Sequence, residues 1–219
     1  MDPAGVGTGR SAAARGPRRW LARALADSLL IMLSVLLALG VDEWRDQRTR
    51  DARAEMALRS IGAELRENAG SVERARTHHL AMRDSLQGYL QRRQAPPPHV
   101  YLSGLFNPAL VHATAWDSAR ETGATSDLPL ELVLALSRVY DRQARYRTLG
   151  DALVQDLMSQ IRREGMEGVL RDRYETFIPL QLDFANRESD LLRSYELALA
   201  DLARGPDAFR SAGRPGDAP

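Results

Sequence analysis

Four histidines, His78, His79, His99 and His112, are the side chains in this chain best suited to holding a metal or moving a proton. A metal site on one helix needs ligands at i and i+4, and a carboxylate-bridged di-iron bundle needs Glu-x-x-His; neither spacing occurs. His78 and His79 are neighbours and would point about 100° apart on a helix, so they cannot share a metal there. They read instead as one polar residue in a packed seam and one solvated residue. No Gly-x-Ser-x-Gly elbow is present, and the serines have no companion histidine signal. Cysteine is absent, which removes thiolate nucleophiles, disulfides and Cys-ligated zinc. Lysine is absent as well, so there is neither a phosphate-loop lysine nor a Schiff-base lysine. The run Gly5-Val6-Gly7-Thr8-Gly9 follows no strand and leads into an apolar helix, which is the wrong setting for a phosphate cradle. The acids are scattered among arginines, and nothing in their spacing singles out a general acid and base. No catalytic, metal or cofactor residue is assigned, and the chain is not read as an enzyme.

Two groups remain as binding determinants. Arg138, Arg142 and Arg145, interleaved with Tyr140 and Tyr146, have the chemistry of an anion or aromatic-ligand pocket between helices. The competing reading is a solvated arginine face with two core-facing tyrosines. Trp116 and Trp44 are candidates for an interface, although a Trp in a short helix is more often packed inside.

The elements that would carry these residues begin with an apolar run. Ala24–Val41 reads ALADSLLIMLSVLLALGV, with Asp27 its one charge, placed to pair with Arg23 one turn back. As a helix it spans about 27 Å, close to the bilayer core of about 30 Å. Trp20 and Trp44 bracket it as membrane-interface aromatics. A cleaved signal peptide competes, because Ala38-Leu39-Gly40 resembles a cleavage site. Against it, Val41-Asp42-Glu43-Trp44 continues as a charged helix without a breaker.

Net charge is +1 over 219 residues, unevenly spread. Five arginines against Asp2 make the first 23 residues +4, whereas residues 41–219 sum to −2 with both signs interspersed. That is a poor nucleic-acid surface, which needs clustered positive charge. Arginines on the two sides of the apolar run are balanced, so the positive-inside rule does not decide orientation. A short basic tail before a large domain nevertheless resembles a signal-anchor. The expected placement is the bacterial inner membrane, with the N-terminus cytoplasmic and the domain extracytoplasmic.

Beyond the anchor, Leu58, Ile61, Leu65, Asn68, Val72, Ala75, His79, Met82, Leu86 and Tyr89 recur with 3-4 spacing. This predicts a long helix packed on partners, with Asn68 and His79 as polar interruptions. Carried backwards, the frame meets Trp44, Gln47, Asp51 and Ala54, too polar to bury, so 45–56 reads as a solvated helical stalk. Pro96-Pro97-Pro98 stops the helix, and Asn107-Pro108 predicts the next helix start. Ser126-Asp127 caps a third helix running to about Glu164, and Gly165 and Gly168 mark a reversal. A fourth helix is kinked or divided by Pro179 and ends at Gly205-Pro206. The expected architecture is all-α, a single N-terminal transmembrane helix continuing into an antiparallel helical bundle. Its parts are a disordered basic tail at 1–19, the transmembrane helix at 20–44, the stalk at 45–56, the bundle at 57–204 and a disordered tail at 205–219.

Leu37-Ala38-Leu39-Gly40-Val41-Asp42-Glu43-Trp44, and later Ala115-Trp116-Asp117-Ser118-Ala119 before Gly123 and a Leu-rich helix with Tyr140, resemble an uncharacterised group of bacterial proteins with one N-terminal membrane helix and a helical soluble domain. The resemblance covers most of residues 25–150 and implies topology; it supplies no site. The function expected is a membrane-tethered helical interaction or scaffold protein. Its partners would be the lipid bilayer and a protein, or a second copy through helix self-association. An extracytoplasmic ligand-sensing bundle acting through a partner is the alternative, and an enzyme of unknown type the distant one.

Overall fold

The computed structural model describes residues 17–205, with the side chains of 17–24, 26 and 27 outside the description. The expected tails, apart from residues 17–19 and Gly205, and the Trp20 side chain therefore lie outside the described residues. Among those residues the regular structure is all helical, with five α-helices and two short 3-10 turns and no strand. The helices are α1 (Pro17–Gln91), α2 (Thr114–Glu121), α3 (Leu130–Glu164), α4 (Met166–Asp172) and α5 (Tyr174–Arg204). Residues 17–19 belong to α1 and not to a tail. The chain divides into two units, 1–49 and 50–219, and α1 contributes to both.

In the first unit every described side chain from Ser28 to Thr49 is exposed. Among the described residues no helix is long and apolar enough to cross a membrane. Trp44 is 55% exposed, and the Arg48 guanidinium lies 4.2 Å above its ring centroid.

The second unit is organised by three seams. From α1 it buries Ala54, Ile61, Leu65, Asn68, Val72, Ala75, His79, Met82 and Leu86. Leu58 and Tyr89 are half-buried, while Arg66, Arg74 and Asp84 face solvent. The 3-4 spacing thus selects the core face of α1, and burying each Leu or Ile contributes about 1.5–3 kcal/mol. The seam begins at Ala54, inside the segment expected as a solvated stalk, because alanine is small enough to pack where Asp51 is not. α3 follows the same rule with Leu132, Leu136, Val139, Gln143, Tyr146, Gly150 and Leu157, and α5 with Phe177, Gln181, Phe184, Glu188, Leu191, Tyr195 and Ala198.

Cross-helix bonds fix the directions. Glu64 meets Tyr140 and Asn68 meets Gln143, so numbers rise together along α1 and α3 and these helices are parallel. Gln143 meets Tyr195 and Tyr146 meets Glu188, so α5 runs antiparallel to α3. The expected antiparallel bundle holds for α3 with α5 and fails for α1 with α3. The reason is the connection 92–113, which does not turn sharply but travels back alongside α1. α1 ends where Arg93 takes a left-handed conformation (φ 56°) and Gln94 N–H bonds Tyr89 O at 3.0 Å. Between Asn107 and His112 the segment passes from the level of His79 to that of Asn68. Eleven helical residues are about 16 Å, the length of five extended residues. The return segment is therefore extended.

That geometry overturns the helix expected at Asn107-Pro108; α2 starts at Thr114 instead. Ser126-Asp127 does not cap α3 directly but lies in the 3-10 turn Ala124–Asp127, and Pro129 stands just outside α3. Gly165 does make the reversal, at φ 79°, while Gly168 sits inside α4. The last helix divides at Arg173, six residues before Pro179, which remains inside α5. Gly150 brings the return segment close to α3, since a Cβ there would stand 3.3 Å from Pro108 Cβ.

Candidate functional site

An extended segment cannot satisfy its own amides, and a buried unpaired N–H or C=O costs about 1–3 kcal/mol. Polar side chains on the three seams meet this need, one level after another. At the first level, Glu64 Oε2 accepts the Ala115 N–H at 2.8 Å, at the start of α2. Its Oε1 accepts the Tyr140 hydroxyl at 2.8 Å. The Tyr140 ring stacks on Trp116, centroids 5.3 Å apart and 6° from parallel.

At the second level, Asn68 accepts the His112 N–H (2.9 Å) and donates to the His112 carbonyl (2.7 Å), as a backbone neighbour in a sheet would. Gln143 Nε2 donates to the same carbonyl at 2.7 Å, and Tyr195 donates to Gln143 Oε1 at 2.8 Å. The third level joins His79 and Glu188, both fully buried, with His79 Nδ1 3.0 Å from the carboxylate. Tyr146 donates to Glu188 Oε1 at 2.7 Å and accepts the Ala109 N–H at 2.8 Å. Asn107 N–H reaches His79 Nε2 at 3.4 Å. At the fourth level, Gln181 Nε2 donates to the Leu105 carbonyl at 2.6 Å, leaving its Oε1 without a protein partner.

Burial, and for two of them a carboxylate neighbour, raises the hydroxyls of this network. The Tyr140, Tyr146 and Tyr195 phenols are pushed above the ordinary tyrosine range, first by desolvation, then by hydrogen bonds to Glu64 and Glu188 for Tyr140 and Tyr146 and by the charge of Glu64 for Tyr195. Tyr101, which donates to the Leu170 carbonyl at 2.9 Å, is pushed up to about 12, chiefly by burial. His78 is half-buried and held below its ordinary value, first by desolvation and then by its neighbour His79.

The structure places the ligand candidates on two sides of α3. Arg138, Arg142 and Arg145 are exposed, whereas Tyr140 and Tyr146 are buried. On a helix the three arginines form one stripe and the tyrosines flank Gln143 on the opposite side. Arg142 reaches across to Ser194 Oγ and, at 3.3 Å, to the Asp190 carbonyl. The arrangement is the solvated face with two core-facing tyrosines, and the five residues do not converge on one pocket. Trp116 is buried, 5% exposed, and packs inside the bundle.

Sequence reasoning missed Glu188, Gln143 and Gln181. Each stands at a 3-4 position of its seam, and a polar residue in an apolar frame is the signal that would have found it. Two open grooves lie on the surface of the unit, and the second borders this network at Ala109, His112 and Tyr146. One of about 600 Å³ is lined by Ala95–Pro98, Tyr101, Met166, Glu167, Leu170 and Arg171. Another, of about 520 Å³, runs between Pro108–Thr114 and the Tyr146–Asp151 turn of α3. Among the described residues no group of three or more His, Asp or Glu side chains is placed to hold a metal. Compared with known protein families, curated proteins and solved structures, the chain matches none.

Proposed function

We propose that this chain is a membrane-tethered helical interaction or scaffold protein, with its apolar segment in a bilayer and its bundle offered to a protein partner. The observation that carries the reading is the run of ten large apolar side chains from Leu29 to Val41, each between 49% and 68% exposed. Burying such residues is worth about 1.5–3 kcal/mol each, so about 15–30 kcal/mol favours a lipid environment over water. Ser34 supports it, since its hydroxyl donates to the Leu30 carbonyl at 2.7 Å and needs no water. Trp44 with Arg48 above it supplies the amphipathic end expected at a membrane interface. With Ala24–Asp27 added, the run reaches about 27 Å as a helix, near the hydrocarbon thickness. The likeness of Leu37–Trp44 to single-anchor bacterial proteins points the same way. The orientation proposed is N-terminus cytoplasmic and bundle extracytoplasmic, at the bacterial inner membrane.

No catalysis belongs to this reading. His79 and Glu188, the best-connected acid–base pair, are sealed from solvent and engaged with the return segment, so substrate has no route to them. The apolar-lined groove at Pro96–Pro98 and Leu170 supports the second reading, a ligand-sensing bundle acting through a partner.

The test is extraction of full-length protein from cell membranes by alkaline carbonate. Retention in the pellet, with an N-terminal sequence that still precedes Trp20, is expected; a soluble product starting at Val41 would make the segment a signal peptide. Protease added outside spheroplasts should digest the bundle, and survival of the bundle until lysis would put it in the cytoplasm. A metabolite that raises the melting temperature of the chain would favour the sensor reading.

A further inference from the structure

Every donor around Glu188 points towards it. Ala109 N–H donates to the Tyr146 oxygen at 2.8 Å, so the phenol proton is committed to Glu188 Oε1 at 2.7 Å. On the other side, Asn107 N–H donates to His79 Nε2 at 3.4 Å, and that nitrogen therefore carries no proton. A neutral imidazole then holds its hydrogen on Nδ1, which lies 3.0 Å from both carboxylate oxygens. The bonding pattern assigns a neutral His79 and an ionised Glu188, an anion 0% exposed and served by neutral donors.

We propose that this convergent chain is a proton-sensitive latch on the return segment, in which one added proton frees Asn107, Ala109 or both. The argument is an inventory of donors and acceptors. A proton placed on His79 Nε2 faces the Asn107 N–H, donor against donor. A proton placed on Glu188 must be donated in turn. Given to His79 Nδ1, it moves the imidazole hydrogen to Nε2 and again opposes Asn107. Given to the Tyr146 oxygen, it turns the phenol hydrogen against the Ala109 N–H. Both arms of the chain end on a backbone donor, so neither can be reversed without losing a bond to the return segment.

Groups facing the pair come from each packed element. Tyr146 comes from α3, and Phe184 on α5 packs against the His79 ring at 5.2 Å. On α1, the His78 ring meets His79 edge-on at 5.6 Å, and the Arg76 charge acts on Glu188 through space. The return segment contributes amides there and no charge. The second-level contact is the built-in control, because Asn68 binds His112 through an amide that does not titrate.

Residue-resolved amide hydrogen exchange on the full chain in mild detergent, from pH 8 to pH 5 and corrected for intrinsic rates, tests the latch. At Asn107, at Ala109 or at both, protection should fall about tenfold per pH unit once one proton is taken up on opening, while His112 keeps its protection. In Glu188→Gln the dependence at Ala109, which runs through Glu188 and Tyr146, should vanish, while Asn107 keeps only the part carried by His79 itself. Flat protection at both amides in the parent chain, or a fall shared equally by His112, would overturn the proposal, and neither result depends on the variant folding. Nitrogen-15 shifts of the His79 ring give an independent reading: Nδ1 should carry the proton at pH 8, and a protonated Nε2 there would also overturn it.

Discussion

Removing Asn68 isolates the interaction that holds the return segment. In Asn68→Ala two bonds to His112 disappear, the acceptor of its N–H at 2.9 Å and a donor to its carbonyl at 2.7 Å. The carbonyl keeps Gln143 Nε2 and so stays satisfied, while the N–H is left without its partner. The third contact, to Gln143 Oε1 at 3.2 Å, adds little because Tyr195 still donates to that oxygen. Two lost bonds at about 1 kcal/mol each and one orphaned donor at about 1–3 kcal/mol overlap in part, and alanine returns about 0.5 kcal/mol in helix propensity. The net loss is about 3 kcal/mol. For a chain of this size that lowers the melting temperature by about 6–12 °C. The assay is thermal unfolding of the full chain in mild detergent, followed by far-ultraviolet circular dichroism, with exposed Glu67→Ala as the neighbouring control. Asn68→Asp keeps the acceptor but turns the donor into an anion facing the His112 carbonyl, so it should be at least as destabilised and should recover in acid. If Asn68→Ala melts within about 1 °C of the parent, the segment is not held by this rung and the reasoning fails.

Four further outcomes are expected. Leu65→Ala should cost about 2–5 kcal/mol in denaturant unfolding, while the adjacent exposed Arg66→Ala stays within about 0.5 kcal/mol. Tyr146→Phe should cost about 1.5–3 kcal/mol, because it removes a bond to a charged carboxylate and orphans the Ala109 N–H; equal stability would show the third rung to be idle. With four tyrosines held above their ordinary 10.0 in the folded chain, stability should be intact below about pH 10 and fall as pH rises from there through the folded values, with phenolate absorbance appearing together with unfolding. His78 is shifted the other way, below 6.5, so its contribution is present above that pH and lost on acidification; His78→Asn should flatten part of the stability decline below pH 6.5.

The core face of α1 was legible because 3-4 spacing maps directly onto one side of a helix. Leu65, Val72 and Leu86 are all 0% exposed. What spacing could not reveal is who the polar seam residues serve. Asn68 and His79 stood out as interruptions, yet their partners His112 and Glu188 are 44 and 109 residues away. Asn107-Pro108 carried a sound local signal for a helix start. The first turn of a helix has amides to spare, and here Asn107 and Ala109 give theirs to His79 and Tyr146, while Pro108 has none to give. Tertiary partners thus outbid a cap. The arginines and tyrosines of α3 do not share one pocket for a simpler reason: neighbours in sequence fall on different faces of a helix.

The polar seam residues and the direction of α3 have one origin. Pro96-Pro97-Pro98 ends the path of α1, and the chain travels back without an α-helix until α2 begins at Thr114. An extended return laid against α1 and α3 makes those helices parallel, and it sets backbone groups beside those helices, whose side chains bond them. Glu64, Asn68, His79, Gln143, Tyr146 and Gln181 provide those bonds, at steps along the helices that match the extended rise of residues 105–115. An apolar seam would bury more hydrocarbon, but it would leave the return segment nothing to hold and would suit a short-turn antiparallel bundle equally well. Gly150 belongs to the same scheme, since its missing side chain is what lets Pro108 approach α3. The buried polar groups thus specify where one strand-like segment must lie.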